Sequence, residues 1–223
     1  MDDYKGISNY QFFNDKILTN AIVTLAVATD LDLDVCTTHG MKETNLHFTI
    51  TKLGAGHHAI CKINDKPAVP ELLRLLDWPE GFLTEEKMLH TILYYPISLK
   101  RNGRAVPVVM PLIMKDSIFV PCIIDDGEVS ILTVSGKNLI NAVKENLHYF
   151  NAIQPEFGLF STCVTILQTL GDKTNMIQEE LHTHFKNKPF LLFYGPGEGT
   201  YSPTKGITYA NMSFNTAVFG NRI

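Results

Sequence analysis

The stretch DDGEVSILTVSGKNLINAVKENLHYFNAIQPEFGLFSTC, residues 125–163, decides the fold class. Asp125-Asp126-Gly127 is a tight-turn signal, so the β-rich runs beside it, residues 118–124 and 128–134, are expected to pair as a hairpin. Ser135 then stands where an N-cap belongs. The apolar residues Leu139, Ile140, Val143, Leu147 and Phe150 follow at helical spacing. Residues 157–163 read as a buried strand. A hairpin running straight into a strand–helix–strand unit predicts an α/β protein with mixed, largely antiparallel sheets and room for two subdomains.

Towards the N-terminus, residues 17–29 are apolar and β-branched and read as a buried strand. Their densest part, about 12 residues, is short of the roughly 20 that a membrane span needs. Residues 33–38 read as a shorter strand, and residues 39–43 as a polar loop. Leu46, Phe48 and Ile50 alternate with polar residues, the period of a half-buried strand, and Ala59, Cys61 and Ile63 repeat it beyond a turn at Gly54-Ala55-Gly56. The Asn64-Asp65-Lys66-Pro67 turn leads into a helix through Leu72, Leu73 and Leu76, and a second helix is expected over residues 83–91. Residues 93–99 and 106–114 read as strands around a turn at Arg101-Asn102-Gly103-Arg104. That turn is the candidate seam between a portion over 1–100 and a domain over 101–223. Pro107, Pro111 and Pro121 point to edges or bulges.

Towards the C-terminus, Gly171-Asp172 breaks a helical region whose second part carries Ile177, Leu181 and Phe185. Residues 190–194 read as a strand and residues 207–219 as a long final one.

The 223 residues carry 19 basic and 23 acidic side chains, a formal net charge of −4, with no basic run. Nucleic acid is therefore not the expected partner, since neutralised phosphates supply most of such affinity. The acidic, polar start has no secretory character, and four dispersed cysteines suit a reduced, cytoplasmic setting. Neither a metal site nor a membrane is expected: His182 and His184 lie about 200° apart on a helix, and His57 and His58 face opposite ways on a strand.

Three features could carry chemistry. Gly195-Pro196-Gly197-Glu198-Gly199 places a carboxylate among glycines that let a ligand approach the backbone. Glu198 there suits an amine ligand or general-base work, although the same composition suits a solvated turn. The final strand sets Asn211, Ser213 and Asn215 opposite Ala210, Met212, Phe214 and Val218, either a polar ligand wall or a wet outer face. Cys163 ends a strand before a helix, where a thiol is either a nucleophile with a lowered pKa or a small buried hydrophobe.

The order of these motifs resembles the FIST (F-box and intracellular signal transduction) sensory domain. Phe160-Ser161-Thr162-Cys163 through Gly171 is similar to the family's strand ending in Cys with a Gly eight residues on. Phe193-Tyr194-Gly195-Pro196-Gly197-Glu198 resembles its Gly-Phe-Tyr-x-x-Gly-Glu element, and Ser213-Phe214-Asn215-Thr216 its final Asn motif. Upstream, Cys36-Thr37-Thr38-His39-Gly40 resembles Gly-Cys-x-Pro-x-Gly, and Ile63-Asn64-Asp65-Lys66-Pro67-Ala68 a Leu-Asp-Gly-Lys-Pro-Ala turn. Ile166 and Phe214 stand where the family often has Arg and His, which takes a cation and an imidazole out of the implied site.

The resemblance implies the latter part of the family's N-terminal portion over 1–100 and its C-terminal domain over 101–223. It implies a small-molecule sensor, the ligand being an amino acid or related metabolite. Its output would pass through a separate signalling protein or self-association. The implied pocket gathers Cys163, Tyr194, Gly197, Glu198, Asn211 and Asn215, with Cys36 and His39 closing it. No cofactor is required, haem being the alternative that some members suggest. An enzyme with Cys163 as nucleophile is the other alternative.

Overall fold

The computed structural model describes residues 10–80, 82, 91–101, 104–110, 112–195, 198–202 and 206–223. The helix expected over residues 83–91 lies almost wholly outside them, as do Asn102, Gly103, Pro111 and Gly197. The chain divides into two compact units, residues 1–32 and 33–223.

In the first unit, β1 (Gln11–Phe13) and β2 (Lys16–Leu18) pair antiparallel across Asn14, which takes a left-handed φ of 54°. The buried strand expected at residues 17–29 is absent. Only residues 17 and 18 join this hairpin, residues 21–29 have no regular structure, and Ile22, Leu25 and Val27 are exposed. Strand preference is a preference for packing against neighbours, and residues 21–29 pair with no strand.

In the second unit, β3 (Asp32–His39) runs into β4 (Met41–Gly54) with only Gly40 between them. The loop expected at residues 39–43 is therefore a single residue. A Cβ on Gly40 would stand 2.6 Å from the backbone of Asn138 and Leu139, so a side chain there would collide with a helix start. Glycine lets the strand direction change at that helix.

The 3-10 turn Ala55–His57 leads to β5 (Ala59–Ile63), β6 (Lys66–Pro67) and α1 (Ala68–Leu75). A 3-10 turn, Ile92–Tyr94, precedes β7 (Ile97–Arg101), which pairs antiparallel with β8 (Arg104–Val108) from Ile97–Val108 to Arg101–Arg104. Then come β9 (Leu112–Met114), β10 (Ser117–Phe119) and β11 (Gly127–Val134). One sheet has the order β8-β7-β11-β4-β5-β10-β9, with β6 on β5. Pro107 sits on edge strand β8, as its missing N–H requires.

The hairpin expected across residues 125–127 does not form. β10 pairs with β5 and β9, and β11 with β4 and β7. Residues 120–126, with Pro121 among them, carry the chain across the sheet as an irregular connection. The local turn signal was real, since Gly127 has φ 128°, but the tight turn belongs to Lys115 between β9 and β10.

α2 (Gly136–His148) starts at Ser135, whose Oγ accepts from the Asn138 N–H at 3.3 Å. β12 (Ile153–Cys163), α3 (Thr165–Leu170) and α4 (Asn175–Phe185) follow, with the helix break at Gly171 as expected. β13 (Phe190–Gly195) lies parallel to β12, and β14 (Glu198–Ser202) pairs with β15 (Gly206–Ala210). β16 (Ser213–Arg222) lies antiparallel to β12, completing a sheet of order β13-β12-β16-β3. The architecture is thus mixed α/β with mostly antiparallel pairing.

Two cores result. Phe48, Ile50, Ile60, Ile63, Val129 and Ile131 pack with Leu72 of α1. Met41, Leu132 and Val134 instead join Leu139, Val143, Phe160, Phe185 and Phe214 in the core of the four-stranded sheet. Ordinary alternation makes this possible: Val129 and Ile131 leave β11 by one face, Leu132 and Val134 by the other, so one strand serves two cores.

Candidate functional site around Glu198

The long final strand expected over residues 207–219 is broken. Asn211 and Met212 form a bend, and Met212 is fully buried with φ 52°. Below the bend, β16 alternates as the sequence suggests. Phe214 and Val218 face the helix-packed core, while Ser213 and Asn215 face the other side, toward β14.

The bend sets a compact polar group. Glu198, at the start of β14, is 3% exposed; its Oε2 accepts from Ser213 Oγ at 3.4 Å, while its Oε1 is buried with no hydrogen-bond partner. Burial raises the Glu198 pKa to about 7, against the opposing pull of the Cys163 thiol and of the Ser213 N–H and hydroxyl. Burial, and then the charge of Glu198, push the Cys163 thiol up as well, while the hydroxyl and N–H of Thr165 and the N–H of Met212 pull it down. Thr165 Oγ1 donates to Cys163 Sγ at 2.9 Å. The net shift keeps the thiol protonated at neutral pH, the opposite of what a nucleophile needs.

From Glu198 a chain of hydrogen bonds runs outward, and its direction can be assigned. Asn215 Nδ2 is 3.5 Å from the Ser161 carbonyl, which only accepts, so the amide orientation is fixed. Nδ2 also donates to Ser213 Oγ at 2.9 Å, and Thr37 Oγ1 donates to Asn215 Oδ1 at 2.9 Å. With the single hydrogen of Thr37 committed, Thr200 must be the donor in the 2.8 Å Thr37–Thr200 contact. Every donor from Thr200 through Thr37, Asn215 and Ser213 therefore points inward to the carboxylate.

The outer end of this chain opens into a groove of about 320 Å³ between the four-stranded sheet and β14. Val35, Leu159, Phe193 and Tyr201 give it apolar walls, and Ser161, Thr200 and Asn215 give it polar groups.

Of the residues singled out in the sequence, Cys163, Glu198 and Asn215 come together in this way. Tyr194 shares a register position with Thr162 on the helix-packed side, its buried hydroxyl unpartnered and its pKa raised by burial. Asn211 is drawn elsewhere: its Oδ1 accepts from the Val109 N–H at 3.2 Å. Cys36 is buried in the helix-packed core. His39 ends β3 exposed, yet desolvated enough that its pKa is lowered. Gly197 lies outside the described residues. Thr37 and Thr200 were not legible as site residues. The one signal for Thr37 was its alternation with the buried Cys36.

These features define a mixed α/β chain in which a groove leads to a buried acid. A family model described as the FIST N domain matches residues 1–66, under a third of the chain, and so bears out the resemblance over that stretch. A FIST domain suggests a sensory role in signal transduction. Thr37 lies inside the match, whereas Cys163, Glu198 and Asn215 lie beyond it. No curated protein and no solved structure matches the chain. Among the described residues, no helix is long and apolar enough to cross a membrane, and no cluster of three or more His, Cys, Asp or Glu could hold a metal ion.

Proposed function

We infer that this protein is a small-molecule sensor whose ligand sits in the groove between the four-stranded sheet and β14. One observation carries the reading: a buried carboxylate with an unpartnered oxygen ends a one-way hydrogen-bond chain that begins at the groove wall. Leaving a buried polar atom unpaired costs roughly 1–3 kcal/mol, a cost more readily kept for function than for packing. The volume sits at the small end of the roughly 300–1,000 Å³ typical of ligand sites, which suits a metabolite rather than a nucleotide. Apolar walls with a few converging polar groups are the usual makeup of such a site.

A bound ligand would brace β14 against Asn215 and Thr37, and that tightened hairpin is the element through which a partner protein or second copy would read occupancy. Thermal-shift screening of the full chain against a metabolite library tests the proposal. A ligand at a hundredfold its Kd adds about 2.7 kcal/mol of stability. The expected result is stabilisation that Asn215→Ala abolishes. A library in which no compound moves the unfolding midpoint refutes it.

A further inference from the structure

We propose that the groove selects a ligand with an apolar body and a head that donates hydrogen bonds, a primary amine in the first instance, and discriminates against carboxylates. This rests on the groove being the ligand seat.

The hydrogen inventory of the wall carries the proposal. Thr200 has spent its only hydroxyl hydrogen on Thr37, so it offers the groove lone pairs alone. Both hydrogens of the Asn215 amide are directed at Ser213 and Ser161, leaving only Oδ1 with capacity to spare, and that as an acceptor. Thr200 and Asn215 are thus acceptors only, while the hydroxyls of Ser161 and Tyr201 can serve either way. A carboxylate, itself an acceptor, would meet the first two lone pair to lone pair, whereas an ammonium brings three donors.

Charge points the same way. Among the described lining residues there is no Lys, Arg or His, so an anion finds no counter-ion. The ionisable groups behind the wall, Glu198 and Cys163, are both acidic. A carboxylate would add negative charge to that neighbourhood, and an amino acid would carry one such group in with its amine. An amine at Thr200 would instead extend a chain already polarised toward an acid, and each added bond strengthens the next. The walls of Val35, Leu159, Phe193 and Tyr201 match an aromatic or branched aliphatic body.

Two matched series test this by calorimetry on the full chain: phenethylamine, phenylalanine and 3-phenylpropionate; isoamylamine, leucine and isovalerate. Within each series the body is closely similar and the head changes. The amine is expected to bind at least about tenfold tighter than either companion. Thr200→Val, which keeps the shape and removes the acceptor, should erase that advantage. Acids or amino acids binding as tightly as the amines overturn the selectivity while leaving the groove reading intact. An amine advantage that survives Thr200→Val overturns it too, because the head would then lie elsewhere. No binding by any of the six at millimolar concentration overturns this inference, while the metabolite screen decides the groove reading separately.

Discussion

Glu198→Gln isolates the free energy stored in the buried acid. The Glu198 pKa is raised from an ordinary 4.5 to about 7, so in this range the folded state holds more protons than the unfolded one. Stability must therefore fall as pH rises from the unfolded pKa to the folded one. Integrating the two titration curves between pH 5 and pH 8 gives a loss of about 2–3 kcal/mol, taking 1.36 kcal/mol per pKa unit as the conversion. Glutamine does not titrate and escapes this loss. It brings its own constant term, since its amide hydrogens need acceptors, but that term does not change with pH. His39 and His184, whose pKa values burial lowers, act in the opposite sense and cancel when variant and parent are subtracted. Urea unfolding of both proteins at pH 5, 6.5 and 8 measures the difference. The variant should gain about 2–3 kcal/mol on the parent across that range. A difference that stays flat with pH refutes the placement of Glu198 as a desolvated acid.

Other consequences are quick to check. Cys163, 5% exposed and with a raised pKa, should label with iodoacetamide after Cys61 and Cys122, which are partly exposed; mass mapping of labelled peptides reads the order. In Glu198→Gln the same thiol should label faster at pH 8, because the charge that pushed its pKa up is gone. Thr37→Val leaves Asn215 Oδ1 without its donor and should cost about 1–3 kcal/mol in urea unfolding, with faster amide exchange along residues 198–202. Gly40→Ala should cost about 1–3 kcal/mol or more, since backbone at 2.6 Å yields less readily than a side-chain tip; thermal unfolding measures it.

Legibility in the sequence followed the range of the forces involved. The helix after Ser135 was readable because its cap and stripe lie within a few turns of one segment, and it forms from Gly136 to His148 as that pattern requires. The break at Gly171 was readable for the same reason. Strand partners were not. The turn at residues 125–127 implied that its flanks pair, yet β10 and β11 find other neighbours in one sheet, because strand pairing is decided by burial across the whole sheet rather than by the nearest turn. The apolar run at residues 21–29 failed similarly, since composition reports strand preference without reporting a neighbour.

The site shows where local reading gives out and why. Reading residues 207–219 as one strand put Asn211, Ser213 and Asn215 on one face, and that alternation holds only from Ser213 onward. What periodicity could not reveal is Met212 in a left-handed conformation that few non-glycine residues adopt. That one residue turns β15 into β16, so that Glu198, which pairs with Ala210 across the β14–β15 hairpin, folds back over Ser213. The bend also keeps two consecutive backbone N–H groups near the acids, that of Met212 lowering the thiol pKa and that of Ser213 the carboxyl pKa. A straight strand would direct successive N–H groups to opposite sides and leave one of the two acids without a donor. The strain at Met212 and the buried acid beside it are thus one feature, sited where backbone strain is most often retained for function.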